Sequence, residues 1–306
     1  MHTHSNISDG ELAPEMLIKE AANRGLTAIA LTDHDTINGL ESAKNAVKSL
    51  ENNESFRFIP GIEVNINWTR KSVYGIPGLG LGGEFHLLGL GIHSPSVDFL
   101  SAVDKLFRRR EIRNNEMLDR MFELSLISPG LSVKEWENGG REDVKKELTA
   151  LSGGHSLGRP HFAAFLTRHR IVKDVKAAFA RYLSVGKPLY VPKEGLYFDE
   201  AAVIIRNSGG IPVLAHPASL YMSWGRLPVL IKKLKEMGLM GIEAWHPIAK
   251  NSSSRRFEAL GKSLGLYITE GSDFHGKFSP DRALGYSGKN RKISEDVLEA
   301  IPELNR

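Results

Sequence analysis

Five times in this chain a short apolar run ends within a few residues on a histidine or a carboxylate. The runs are Ala28-Ile-Ala-Leu-Thr-Asp33-His34-Asp35, Arg57-Phe-Ile-Pro-Gly-Ile-Glu63, Ile211-Pro-Val-Leu-Ala-His216-Pro217, Gly241-Ile-Glu-Ala-Trp-His246-Pro247 and Leu266-Tyr-Ile-Thr-Glu-Gly-Ser-Asp273-Phe-His275. Apolar runs of this length read as buried strands, and the segments between them carry helical periodicity, so the chain reads as α/β. Strands are expected near residues 26–31, 57–62, 85–92, 211–215, 240–244 and 266–269. Helices are expected from Pro14 to Arg24, a Pro-started segment closed by Gly25, and over about 38–52. In a barrel of parallel strands the C-terminal ends converge on one face, where active sites are built. The polar residues ending these runs would therefore meet.

The chain contains no cysteine among its 306 residues. That excludes disulfides, thiolate zinc sites, iron–sulfur clusters and cysteine nucleophiles, and leaves any metal to histidine and carboxylates. His with Asp and Glu is the ligand set for Zn²⁺, Mn²⁺ or Fe²⁺. His2 and His4 are two residues apart, so both point to one face of an extended segment. Asp273 and His275 repeat that spacing, Asp9 lies close to the first pair, and His86 falls in a strand-like run that follows a loop. His93 competes with His86. Seven histidines in this pattern, with Asp9, Glu63 and Asp273, point to a polynuclear metal site. His155 and His169 are assigned to surface or helix packing, and Trp68, Trp136 and Trp224 to packing.

Residues 100–190 read differently, with long helical patterns such as 101–125 and few strand signals. Breaks at Pro129-Gly130, Gly139-Gly140 and Ser152-Gly153-Gly154 divide them. They are expected to form a mainly helical insertion between two parts of one barrel, residues 1–99 and 191–306. Charge is concentrated there: residues 101–190 hold 17 Lys/Arg against 11 Asp/Glu, and the rest of the chain 23 against 25. A basic segment beside a near-neutral body suits an anionic substrate. The glycine-rich stretch 75–83 lacks the Gly-Lys-Ser/Thr ending of a phosphate loop and reads as a connection. No apolar stretch approaches the roughly 18–20 residues that span a bilayer, and the first residues lack the pattern of a secretory signal. A cytoplasmic location with no membrane partner is the expectation.

These motifs resemble the polymerase-and-histidinol-phosphatase (PHP) family of metal-dependent phosphoesterases. The matching strings are His2-Thr-His4-Ser5 with Ser8-Asp9-Gly10, Thr32-Asp33-His34-Asp35, Gly61-Ile62-Glu63, Ala215-His216-Pro217 and Ser272-Asp273-Phe274-His275. The resemblance implies a distorted seven-stranded (β/α) barrel holding two or three divalent ions, Mn²⁺ first, with Fe²⁺ or Zn²⁺ admitted by the same ligands. It implies that His2, His4 and Asp273 hold one ion, that Glu63 bridges to a second completed by His86 and His216, and that Asp9, His34 and His275 form a third site. Asp33 and Asp35 would support ligating histidines. Met1 directly precedes His2, so the strand that carries these first ligands in the family is shortened here or begins upstream.

Three further strings, Gly158-Arg159-Pro160-His161, Gly186-Lys187-Pro188-Leu-Tyr190-Val191 and Glu243-Ala-Trp-His246-Pro247, are similar to the branch acting on nucleotide 3′,5′-bisphosphates and the 5′ ends of short oligonucleotides. Arg159 would clamp phosphate bidentately, Lys187 would add a second charge, and His161 and His246 would hydrogen-bond substrate. His34, His161 and His246 are the candidate catalytic residues. The implied reaction is hydrolysis of a phosphomonoester of a nucleotide 3′,5′-bisphosphate, or a similar small nucleotide, by a metal-bridging hydroxide. The alternatives are a 5′→3′ exonuclease on short RNA or DNA, a histidinol-phosphate-type phosphatase, and a non-catalytic metal-stabilised binding module.

Overall fold

A computed structural model describes residues 1–51, 55–67, 83–127, 132–152, 157–288 and 291–304. Trp68, His155, the Pro129-Gly130 break, Gly153-Gly154 and residues 75–82 lie outside the described residues.

All six expected strands form, as β1 (Ala28–Leu31), β2 (Arg57–Asn65), β3 (His86–Leu90), β4 (Ile211–Leu214), β5 (Gly241–Trp245) and β6 (Tyr267–Glu270). They make one sheet in the order β1-β2-β3-β4-β5-β6. Pairing is parallel throughout except at β3, which runs antiparallel to both neighbours. That reversal decides where His86 lies. As the first residue of β3 it pairs with Asn65 at the end of β2, while Leu87 pairs with Leu214 at the end of β4. The beginning of β3 therefore shares an edge with the ends of its neighbours.

Seven strands were expected, and the described residues form this six-stranded sheet together with a separate hairpin, β7 (Tyr286–Gly288) and β8 (Arg291–Lys292). Residues 2–4 run between the two outer strands. The Thr32 N–H donates to the Thr3 carbonyl at 2.9 Å on one side. On the other, the His4 N–H donates to the Phe274 carbonyl (3.0 Å) and the Asp273 N–H to the His2 carbonyl (2.9 Å). The segment makes only an isolated bridge, Thr3 with Phe274.

The longer helices are α1 (Pro14–Asn23), α2 (Leu40–Lys48), α3 (Val97–Glu123), α4 (Arg141–Leu151), α5 (Arg159–Arg168), α6 (Phe198–Asn207), α7 (Leu227–Glu236) and α8 (Asn251–Ser263). Pro at the first turn opens α1 and α5, where its missing N–H costs nothing. The core divides into clusters. Ile62, Val64, Leu87, Leu214, Ile242 and Ala244 pack under α6, α7 and α8 with Phe99, Ala102 and Leu106 of α3. A second cluster belongs to residues 117–191, from Met117, Leu118 and Met121 to Phe162, Phe165, Leu189 and Val191. Trp136 is buried in it and stacks on Phe122, while Trp224 packs on Phe257. The 27-residue helix α3 is the piece common to both clusters. Among the described residues no helix is long and apolar enough to cross a membrane.

Candidate metal centre

The strand ends bring His2, His4, Asp9, His34, Glu63, His86, His216, Asp273 and His275 together, all buried. Four atoms converge most tightly. His2 Nε2 lies 3.0 Å from His4 Nε2, 3.3 Å from Glu63 Oε2 and 3.4 Å from Asp273 Oδ1; His4 Nε2 lies 3.2 and 3.1 Å from the same two oxygens. An ion with four tetrahedral ligands at about 2.0–2.1 Å separates them by roughly 3.3–3.4 Å. The observed spacings fit that cage slightly contracted. The other oxygen of Glu63 faces a second group, 2.9 Å from both His86 Nδ1 and His216 Nε2, which are 3.3 Å apart. Asp9 Oδ1 is 3.2 Å from His275 Nε2, and Asp9 Oδ2 is 3.8 Å from His34 Nε2. His34 Nδ1 also reaches Glu63 Oε2 at 2.9 Å, so this ring stands between the Asp9 and Glu63 groups.

Hydrogen bonds behind the cluster fix which histidine nitrogens are free. His2 Nδ1 bonds Glu243 Oε1 at 3.0 Å, and Glu243 accepts only, so the proton sits on Nδ1 and the Nε2 lone pair faces the cage. Ser219 Oγ gives its own proton to the Glu84 carbonyl and must accept from His216 Nδ1 (2.7 Å), freeing His216 Nε2. His275 Nδ1 donates to the Asp273 carbonyl at 2.8 Å, freeing Nε2 toward Asp9. In their neutral forms these three rings set lone pairs against carboxylates, an arrangement that a proton or a cation relieves; the carboxylates accordingly raise the pKa of His2 and His216 despite their burial. Asp33 accepts from the Ser5 N–H and from Ser5 Oγ and Ser8 Oγ, holding the turn that carries His4 and Asp9. Asp35 pairs with Arg110 at 2.7 Å.

The electrostatics show the same demand for positive charge. Burial works against the charged form of His4, but Asp273 and Glu63 outweigh it and hold its pKa at about 9. Burial would raise the Glu243 carboxyl, yet His2 and His246 keep it at about 2. Burial dominates at His34, which falls to about 4. Two residues of the cluster also adopt positive φ, His216 at 26° and Asp273 at 48°, a region that side-chain-bearing residues seldom occupy.

Glu243 opens one of the strings quoted from the sequence but was given no role there. It is completely buried in β5, and besides His2 it accepts the His216 backbone N–H at 2.7 Å. It reaches them because Gly271 has no side chain; a Cβ there would overlap the Glu243 carboxylate and the His2 side chain. A carboxylate inside the otherwise apolar run Gly241–Trp245 was the available signal.

A cleft of about 220 Å³ opens on the cluster, lined by Asp9, His34, Glu63, His86, His216, Asp273 and His275 together with Arg110, Arg113, Arg159, Lys193 and Arg282. Arg159 lines it and pairs with Glu84; Arg282 lines it and pairs with Asp273. His246 also lines it. Its Nδ1 accepts the Ile248 N–H, so Nε2 carries the proton and donates to Asp273 Oδ2 at 3.1 Å. His161 is buried behind the wall, with Nδ1 accepting the Gly158 N–H at 2.9 Å, and it fixes the first turn of α5 that presents Arg159. Lys187 is not at the cleft. It is exposed on a tight turn after Gly186 (φ 76°), its N–H bonded to the Ser184 carbonyl, and the lysine that lines the cleft is Lys193. His93 is exposed away from the cluster, and His169 pairs with Glu147.

Comparison with known proteins gives the same family as the motifs. A model of the PHP domain matches residues 1–191. The chain is 29% identical to a 3′,5′-nucleoside bisphosphate phosphatase of Chromobacterium violaceum, over 94% of this chain and 90% of that protein. It is 30% identical to a phosphoribosyl 1,2-cyclic phosphate 1,2-diphosphodiesterase of Eggerthella lenta (94% and 97%) and 28% identical to the 5′-3′ exoribonuclease Rnm of Salmonella typhimurium (90% and 84%). Among solved structures, an amidohydrolase from Chromobacterium violaceum with bound sulfate and no metal superposes with a TM-score of 0.73 at 28% identity, covering 90% of this chain and 87% of that one.

Proposed function

The chain belongs to the PHP domain family, and from that premise we propose that it is a metal-dependent phosphoesterase that removes a phosphate from a nucleotide 3′,5′-bisphosphate or a similar small nucleotide. The observation that carries the reading is the shared carboxylate of Glu63, one oxygen set among His2, His4 and Asp273 and the other between His86 and His216. Such a bridge suits a pair of ions sharing one carboxylate, with Asp9, His34 and His275 available for a third. Mn²⁺ is the first choice, and the same donors accept Fe²⁺ or Zn²⁺. Ions held there would supply Lewis acidity, acidifying water and drawing charge from phosphoryl oxygens.

The chain's own groups do the rest. Arg159, on the first turn of α5, is placed to exchange its Glu84 partner for phosphate oxygens. His246, with its proton on Nε2 and its ring in the cleft wall, is the side chain in place to protonate a leaving oxygen. Residues 2–4 serve as the seventh strand, closing the sheet between β1 and β6, and residues 100–190 serve as a helical unit roofing the site. The 5′-3′ exoribonuclease relative favours a second reading, release of nucleotides from 5′ ends of short oligonucleotides, with the same ligands.

The test is phosphate release from adenosine 3′,5′-bisphosphate by Mn²⁺-loaded protein, with 5′-AMP alongside and a chelated control. Chelator-sensitive release from the bisphosphate, at least about tenfold faster than from 5′-AMP, supports the nucleotide reading; tenfold corresponds to about 1.4 kcal/mol of transition-state preference. Equal sluggishness on both, with rapid shortening of 5′-phosphorylated oligonucleotides, replaces it with the exonuclease reading.

A further inference from the structure

The residue after β4 and Ala215 is His216, with φ 26° and ψ 64°, and a single 3₁₀ turn, Pro217–Leu220, follows it at once. In such a turn side chains three residues apart eclipse, so position 219 is brought over the ring of residue 216. The Ser219 N–H closes the turn on the His216 carbonyl at 2.8 Å. The side chain delivered there is a hydroxyl, with Ser219 Oγ 2.7 Å from His216 Nδ1. Ser219 is buried and reaches the cleft lining.

The same residue holds a second segment. Ser219 Oγ donates to the Glu84 carbonyl at 2.8 Å, and the Glu84 N–H donates to the Ser219 carbonyl at 3.0 Å. These two bonds clip residues 83–84 to the turn, two positions before His86. Gly83 permits the approach, because a Cβ there would overlap the Ser219 carbonyl. The His86 carbonyl in turn accepts the Ala215 N–H at 3.2 Å. His86 Nδ1 and His216 Nε2, each 2.9 Å from Glu63 Oε1, are therefore carried by two segments joined through one serine. A hydroxyl has one proton to give. Because it goes to Glu84, the oxygen can only accept from His216, and the chain of two bonds runs in one direction, each strengthening the other.

We infer that Ser219 is a positioning residue for the His86–His216 group: its hydroxyl keeps the His216 proton on Nδ1, away from Glu63, and pins the start of β3 that carries His86. The inference rests on the metal-dependent reading above and adds to it a residue outside the ligand set. Without the hydroxyl the proton has no acceptor at Nδ1, whereas Glu63 Oε1 lies 2.9 Å from Nε2. The neutral ring then carries its proton on Nε2, the atom that would otherwise face an ion. The clip on Glu84 loses one of its two bonds at the same time. Both effects fall on the His86–His216 group and neither touches the cage of His2, His4 and Asp273.

The experiment is calorimetric titration of metal-free protein with Mn²⁺, comparing wild type with S219A, S219V and S219T, and with thermal melts of each. Residues that orient a ligating histidine are worth about 10–100-fold in metal affinity, so S219A should weaken one class of bound Mn²⁺ by that factor. The remaining Mn²⁺ should bind within about twofold of wild type, a selectivity that general loosening of the fold does not produce. S219V and S219T have the same shape and differ in the hydroxyl alone, so S219T should bind the affected ion more tightly than S219V. The double variant H216A/S219A supplies the second measurement: with the ring gone, S219A should change the Mn²⁺ binding that remains by less than about twofold. Wild-type affinity in S219A, equal affinity in S219V and S219T, a loss shared by every ion, or a further loss in the H216A background each overturns the inference. If S219A melts too low to titrate, the S219T and S219V pair decides. Wild-type protein that binds no Mn²⁺ would instead overturn the reading beneath, and that is visible before any variant is made.

Discussion

Replacing Glu243 isolates the contribution of a residue that touches the proposed metal ligands but does not line the cleft. Its two oxygens serve two donors, His2 Nδ1–H at 3.0 Å and the His216 N–H at 2.7 Å. In E243Q the amide oxygen can still accept from His2, but the amide NH₂ then meets the His216 N–H, donor against donor. The tautomer of His2 is preserved while the charge that makes Nε2 a better ligand is lost. Partners of this kind are worth about 10–100-fold in metal affinity, or roughly 1.4–2.7 kcal/mol at about 1.4 kcal/mol per tenfold. E243A removes both acceptors and leaves two buried donors unpaired, at about 1–3 kcal/mol each, so roughly 2–6 kcal/mol of stability should go. With about 2–4 °C per kcal/mol in a domain of this size class, the melting temperature should fall by roughly 4–24 °C.

The assay is Mn²⁺ titration of metal-free protein by calorimetry, with thermal melts of the same samples and kcat at saturating Mn²⁺. E243Q should weaken Mn²⁺ binding by about 10–100-fold, with a smaller change in kcat once metal saturates. Binding of Mn²⁺ by E243Q with wild-type affinity would refute the orienting role. So would a large loss of kcat at full occupancy with affinity unchanged, since that places Glu243 in the chemistry itself.

H4A and D273A should each abolish turnover, by about 10³-fold or more, and lower bound metal measured by atomic emission, because each removes a corner of the tightest cage; normal metal content in either would remove that corner. R159A should raise KM by about tenfold or more with bound metal unchanged, and loss of metal would show Arg159 to be structural. K187A should keep kcat/KM within about twofold, as expected for an exposed lysine away from the cleft. A larger loss would return Lys187 to the substrate path. The folded pKa of His4, about 9 against an ordinary 6.5, gives a sign for pH dependence. The stabilisation is full below about 6.5 and lost as pH rises through 9, so metal-free protein should melt lower at pH 9 than at pH 6.5. Mn²⁺ should abolish that slope by taking the proton's place; a flat melting profile without metal would refute it.

The strands and the clustering of the candidate ligands were legible for one physical reason. In a sheet buried on both sides the strands are uninterrupted apolar runs, so the first polar residue after each run marks a strand end, and strand ends are where this sheet keeps its histidines. His86 fits only once β3 is known to be antiparallel, because then its first residue shares an edge with Asn65 and Leu214. Glu243 was hidden by lying within a run rather than after it. Arg110 and Arg113 were counted as part of a diffuse positive charge on residues 101–190, yet their information was in their phase on α3, one turn of an inward stripe. Lys187 was chosen for its motif and Lys193 passed over six residues later. Only the turn at Gly186 and the path back to the cleft separate them.

These placements divide the charge of the cleft by element. The sheet edge and the segments beyond it supply carboxylates, with Glu63 and Glu243 on strands, Asp9 on a turn and Asp273 on the segment after β6, together with the histidine nitrogens. The opposite wall supplies cations: Arg110 and Arg113 from α3, Arg159 from α5, and Lys193 from the segment before α6. Left to themselves the walls would attract, and three cross-pairings already exist, Arg110 with Asp35, Arg159 with Glu84 and Arg282 with Asp273. Filling the space with divalent ions beside the carboxylates and phosphate beside the cations satisfies both walls at once, because each filler carries the sign its wall lacks. Neither filler alone achieves this. Ions without phosphate leave Arg113 facing added positive charge, and phosphate without ions sets its oxygens against Glu63 and Asp273. Metal and doubly anionic ligand should therefore bind with positive coupling: in calorimetric titrations Mn²⁺ affinity should rise by about 5–150-fold when adenosine 3′,5′-bisphosphate is present in a non-hydrolysable form. R113M should diminish that coupling while leaving the His2–His4–Glu63–Asp273 cage intact. Independent binding of the two in wild-type protein would contradict the division of charge argued here.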